Sequence, residues 1–203
     1  MTPLTRRTAL LGSLFALGGC STISALNSAT QALDTYDLVV PALPQRGARS
    51  AQTLLVARPQ ASAALSSDRI MIKPDPASIT YLPDARWSDE VPALVQSLLI
   101  RSIAATGRIA YVGPSDAGPV PDKALLTRID AFEVNALPGG LFEVVLDMEI
   151  TLVNDADQRI VASRRFAQRA PAASDGITQV VGAFQQGMNA ALPEIAAWVI
   201  AQI

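Results

Sequence analysis

Over residues 141–154 apolar and polar side chains alternate almost without interruption. Phe142, Val144, Leu146, Met148, Ile150 and Leu152 hold one parity, and Glu143, Asp147, Glu149 and Thr151 hold the other with Val145 and Val153. Successive side chains of a strand point to opposite faces, so this pattern predicts one long strand with a buried face. Residues 125–134 predict a partner strand before it, joined through Asn135-Ala136-Leu137-Pro138-Gly139-Gly140, and residues 159–168 predict a third strand after it. A three-residue loop at Asp155-Ala156-Asp157 would set Ile160, Ala162 and Phe166 opposite Leu152, Ile150 and Leu146. The same register sets Asp147 against Arg165 and Glu143 against Arg169. The acidic row of Glu143, Asp147 and Glu149 therefore reads as cross-strand ion pairing on a solvated face, with a cation site the less economical alternative.

Two segments change to helical spacing. Val91, Leu94, Val95 and Leu98 share one face of a helix over residues 88–105, with Ser88 as N-cap, Asp89 and Glu90 at the positive end, Pro92 in the first turn and Gly107 as the stop. Ile177, Val181, Phe184, Met188, Leu192, Ile195 and Val199 repeat at near-helical spacing over residues 175–201, with Ser174 or Asp175 as cap and Pro193 as a kink or break. This second stripe reads as a core face laid on the sheet rather than as a lipid-binding groove. Shorter strands are expected at 36–40, 53–57, 70–72, 79–81 and 108–112, separated by proline-rich turns, with a loop over 113–122. The fold class that follows is α+β, a single two-layer domain whose mostly antiparallel mixed sheet carries two main helices on one face.

The first residues follow different rules. Arg6 and Arg7 precede a short apolar run, residues 9–17, which ends in Leu17-Gly18-Gly19-Cys20. A membrane-spanning helix needs roughly 20 apolar residues, so this run reads as a cleaved export signal. Leu17, Gly18 and Gly19 before Cys20 resemble a bacterial lipobox, in which the cysteine sulfur takes a diacylglycerol and its freed amine a further acyl chain. Cys20 is the only cysteine, so no intramolecular disulfide is possible. Thr5-Arg6-Arg7-Thr8-Ala9-Leu10-Leu11 partly resembles a twin-arginine signal, and ordinary threading and folded export both stay open. The organisation expected is a signal peptide over 1–19, a lipidated cysteine and tether over 20–33, and a folded domain over 34–203. In lipoproteins of this kind an aspartate after the lipidated cysteine favours inner-membrane retention; with Ser21 there, the resemblance implies an outer-membrane lipoprotein facing the periplasm.

Composition narrows the chemistry. The chain has no histidine, so His-based triads and the commonest metal ligand are excluded. Lysine occurs only at Lys73 and Lys123, and neither a Ser-x-x-Lys arrangement nor a phosphate-cradling glycine loop is present. With 16 basic and 18 acidic residues and no basic cluster, nucleic-acid binding is not expected. No catalytic residue, metal site or cofactor is expected beyond the acyl chains on Cys20. Carboxylate-only hydrolysis is left formally open but disfavoured.

Taken in order, the lipobox, Tyr36-x-Leu38, Leu55-Val56-x-x-Pro59, Asp68-Arg69-Ile70, Tyr81 followed by Arg86-Trp87 opening a helix, the long amphipathic strand and the final Ile195-Ala196-Ala197-Trp198-Val199 resemble the ABC-type transport auxiliary lipoproteins. That family includes the lipoprotein of the paraquat-inducible intermembrane transport system. The usual second aromatic beside Tyr81 is Leu82 here. The resemblance implies a non-catalytic docking subunit that works with a mammalian-cell-entry domain protein and an ABC permease and ATPase in moving lipid between membranes, with self-association into a ring as an option. Tyr81, Arg86 and Trp87 are the candidate partner surface, since Arg and Trp are enriched at binding hot spots. Trp87 as a core staple with Arg86 solvated is the competing reading. Two other roles stay open: an accessory lipoprotein for assembling a lipopolysaccharide-export type complex, and a small-ligand-binding lipoprotein of an importer.

Overall fold

The spine of the molecule is strand β7 (Lys123–Leu137), which pairs antiparallel along its whole length with β8 (Leu141–Asn154). Pro138-Gly139-Gly140 closes this hairpin, and Gly139 and Gly140 adopt φ of 82° and 75°, a region open to glycine because it has no Cβ. β9 (Arg159–Ala172) continues the meander antiparallel to β8. Along its other edge β7 holds three short strands end to end, all parallel to it: β2 (Ser50–Val56) at residues 123–125, β3 (Gln60–Ala61) at 128–129 and β4 (Arg69–Lys73) at 133–135. β6 (Ile109–Pro114) lies outside β2, while β5 (Thr80–Trp87) and then β1 (Asp34–Tyr36) lie outside β4. The computed structural model describes residues 33–44 and 47–203, and residues from Asp34 onward form one compact unit. Among the described residues nine strands form one mixed, open sheet and two helices accompany it, so the fold is a single α+β domain whose longest pairings are antiparallel. Cys20, Leu17, Gly18 and Gly19, with the signal peptide and all of the tether except Leu33, lie outside the described residues.

The alternation in β8 does what its sequence dictates. Val144, Leu146, Met148, Ile150 and Leu152 are all buried and join the same apolar cluster as helix α1 (Val91–Ala105) and helix α2 (Ile177–Ala201). A fully buried side chain of this size contributes about 1.5–3 kcal/mol, so these rows fix which face the helices cover. In β7 the buried parity switches: Leu125 and Ile129 face the core, then Phe132 and Val134. A bulge at Asp130, between the pairs Ile129↔Met148 and Ala131↔Asp147, makes the switch possible.

Several expectations shift in detail. Trp87 ends strand β5 and does not open a helix. The strand runs through Pro83 and Asp84, which lie in an irregular stretch of the β4–β5 pairing with Asp84 at φ 57°, so the missing proline N–H costs no ladder bond. α1 begins at Val91 with Glu90 at the cap position and Pro92 in its first turn; Ser88 instead hydrogen-bonds Asp37. α2 continues through Pro193 without a break, because Met188, Ala191, Leu192, Ile195, Ala196 and Val199 on both sides of it are buried. That packing outweighs a proline cost of about 3 kcal/mol.

The β8–β9 register differs by two residues from the one expected. The turn has four residues, 155–158, with Gln158 at φ 55°, and Ile160 pairs with Val153. A bulge then leaves Val161 extra, so Ala162 meets Leu152, Phe166 meets Met148 and Arg165 meets Glu149. Because the displacement is even, Ala162 and Phe166 keep the core face; Ile160, lying before the bulge, is turned outward and is 64% exposed.

Candidate functional site

The three residues expected at a partner surface are separated by burial. Trp87 is 1% exposed and packs edge-on against Phe132 at 5.8 Å and Phe184 at 5.0 Å. Tyr81 is half-buried, donates its hydroxyl to the Ala64 carbonyl at 3.3 Å and lies under the Arg69 guanidinium at 5.9 Å. Arg86 alone turns its side chain to solvent, reaching Thr35 Oγ1 at 3.2 Å and the Asp68 carboxylate at 3.7 Å. It borders a cleft of about 510 Å³ at the start of α1, lined also by Ser67, Asp68, Ser88 and Asp89. The structure thus places Trp87 as the internal support of a surface whose exposed charges include Arg86, Asp89 and Glu90.

The face of the sheet turned away from the helices carries an ordered charge array that sequence pairing anticipated. Arg165 holds Asp147 through two hydrogen bonds, one of 2.6 Å, and Arg169 holds Glu143 at 2.6 Å. In the observed register these partners are diagonal, two residues apart along the ladder, and an arginine is long enough to span that step. Arg128 lies opposite Glu149, meets it at 2.7 Å and also grips Asp130 in the bulge at 2.7 and 2.9 Å. Lys73 meets the buried Glu133 at 3.0 Å. Hydrogen bonding from Arg128 holds the Asp130 carboxyl below the ordinary aspartate range, and its bond to Asp147 raises the Arg165 guanidinium further above neutrality. Paired in this way, the side chains tie neighbouring strands together across the face. Among the described residues no three His, Cys, Asp or Glu side chains are placed to hold a metal.

Asp157 is likewise depressed, first by a hydrogen bond from the Asn154 amide, and Asp75 by the Ser78 hydroxyl. A depressed carboxylate adds stability that is complete above the ordinary value of 3.8 and disappears as pH falls through the lower folded value. The melting temperature is therefore expected to fall below about pH 4, and Asp130→Asn to remove part of that slope, as calorimetry across pH 2–7 would show.

At the turn end of the same face lies a cleft of about 470 Å³ walled by Ala57, Leu126, Val153 and Ile160. Sequence reasoning missed it, because Ile160 was expected inside. The only local signal is Gln158, which takes a left-handed conformation without being glycine.

Comparison with known proteins adds the family. The model of the ABC-type transport auxiliary lipoprotein component matches residues 36–196. A crystal structure of a Xanthomonas campestris protein, assigned to the family model DUF330, is 25% identical and superposes with a TM-score of 0.76, covering 83% of this chain and 96% of that one. A crystal structure of an uncharacterized protein is 16% identical with a TM-score of 0.63 over 83% and 99% of the two chains. A hypothetical protein of Chlamydia trachomatis is 8% identical with a TM-score of 0.52 over 75% and 98%. No curated protein matches the chain.

Proposed function

Because this chain belongs to the ABC-type transport auxiliary lipoprotein family, we propose that it is the lipid-anchored docking subunit of an intermembrane lipid transport system of the ABC and mammalian-cell-entry type, and that it acts without catalysis. The family match over 36–196 carries the reading, since it spans nearly all of the folded unit. An auxiliary transport component points to a non-enzymatic role, and Asp130 agrees with one, its carboxyl held below the ordinary range by Arg128 rather than poised to exchange protons.

In this reading Cys20 carries a diacylglycerol and an N-acyl chain, and two or more chains hold a protein stably in a membrane. Ser21 directs it to the periplasmic side of the outer membrane, where it receives the far end of a conduit rooted in the inner membrane. Self-association into a ring would let lipid pass through or beside it. Arg86 and the cleft beside Asp68 and Ser88 are the first surface to examine for the partner.

Full-length tagged protein extracted from membranes in mild detergent is expected to bring down a mammalian-cell-entry domain protein with its permease and ATPase, identified by mass spectrometry. Repeated recovery of folded protein without them, or with an outer-membrane β-barrel in their place, overturns the proposal.

A further inference from the structure

We propose that the free edge of β9 is a docking strand for an extended, acidic segment of a partner polypeptide. The inference deepens the docking reading above and rests on it for the existence of a partner. Among the described residues β9 pairs with β8 alone, so along its 14 residues one row of backbone N–H and C=O groups faces away from the sheet. A strand added there satisfies those groups, while the flanking side chains decide which strand is accepted.

Those side chains are cationic. Arg159, Arg164, Arg165 and Arg169 have side chains 80%, 47%, 67% and 66% exposed, and β9 contains no acidic residue. Two of the carboxylates they hold, Asp147 and Glu143, are only 12% and 23% exposed. At these two pairs the acids lie beneath and the guanidiniums above, so an approaching chain meets the positive layer first, while Asp157 and Glu194, 49% and 42% exposed, lie beside Arg159 and Arg164. Each guanidinium has five N–H donors and a carboxylate engages two of them side by side, which leaves donors for a second acid. Arg164 sits opposite Ile150 on the helix-covered face and Arg165 opposite Glu149 on the other, so an incoming strand finds cations on both of its sides.

The bulge supplies the anchor. It leaves Ile160 and Val161, 64% and 41% exposed, at the turn end of the same strand. Charged edges also prevent indiscriminate pairing: a second copy brought edge to edge would set arginine against arginine. Like charges exclude that occupant, and an acidic strand is the one that complements the edge.

The test uses the full-length lipoprotein in detergent and three ten-residue probes: a peptide alternating Glu and Val, the same peptide with Lys for Glu, and the Glu peptide N-methylated at alternate residues. Anisotropy is expected to show the Glu peptide binding at least about tenfold more tightly than either of the others, since one lacks the charge and the other the donors. Hydrogen exchange of residues 159–172 is expected to slow when it binds. Arg159→Gln combined with Arg164→Gln is expected to weaken it by about tenfold without altering the melting curve greatly, since both arginines and the carboxylates they meet, Asp157 and Glu194, are exposed. Equal binding of the N-methylated peptide, or unchanged exchange in 159–172, overturns the inference. Failure of the peptide while the transport partners still co-purify removes the edge alone; peptide binding without those partners removes the transport reading and leaves the edge.

Discussion

The Trp87→Ala protein is expected to be about 3–5 kcal/mol less stable than the native chain, the range for truncating a large buried aromatic. For a domain of this size that corresponds to a fall in Tm of roughly 6–20 °C. The reason lies in where the indole sits. At 1% exposure it is edge-on to both Phe132 of β7 and Phe184 of α2, whose rings are themselves 4.9 Å apart, so one side chain joins the sheet, the C-terminal helix and the end of β5. Removing it opens a cavity that three different elements would have to move to fill. Trp87→Phe separates volume from polarity. The indole Nε1 is buried without a hydrogen-bond partner among the described residues, and an unmade bond of that kind costs about 1–3 kcal/mol. Phenylalanine loses packing but also removes the orphaned donor, so its cost is expected to stay below about 1.5 kcal/mol. Chemical denaturation followed by fluorescence of the remaining Trp198 measures the alanine variant directly. A Trp87→Ala protein as stable as the native one would place the indole outside the core.

Trp87 also shows what was legible in the residues and what was not. Arg86-Trp87 next to a helix start has the composition of an exposed hot spot, and the same two residues fit the end of a buried strand. Nothing local distinguishes them, because the decision belongs to Phe132 and Phe184, which lie 45 and 97 positions further on. Where the pattern is long, the outcome is different. Six alternating apolar positions in β8 and seven at helical spacing in α2 commit a whole face, and no neighbour can reverse a commitment of that size. The hairpin register falls between these cases. Alternation fixes parity, so Asp147 still finds Arg165 and Glu143 still finds Arg169. Turn length and bulges are set by backbone choices at single residues such as Gln158 and Val161, to which alternation is blind. The outward turn of Ile160, and with it the apolar end of the β9 edge, was therefore invisible until the chain was folded. The strand through Pro83 was hidden for a related reason, since an irregularity in the ladder absorbs the proline.

Cys20→Ser is expected to convert the protein from one that needs detergent for extraction to one that alkaline carbonate releases. Each buried methylene contributes about 0.8 kcal/mol, so a diacylglycerol with a further N-acyl chain is effectively permanent, whereas one chain holds only marginally. On the proposed reading the serine variant would lose the nucleophile that takes the lipid and, with it, the cleavage that depends on lipid. Its uncut leader has the nine apolar-region residues 9–17 against the roughly 20 a span requires, so the leader is a poor substitute anchor. No helix among the described residues is long and apolar enough to cross a membrane either. Mass spectrometry of the native protein is expected to show Cys20 as the first residue, heavier by its acyl groups. Ser21→Asp supplies the second arm: it leaves the anchor intact and is expected to shift the protein from outer- to inner-membrane fractions on a density gradient. A serine variant that still resists carbonate, or an intact leader with an unmodified thiol in the native protein, would remove the anchor, and a docking subunit without one has nothing to keep it at the receiving membrane.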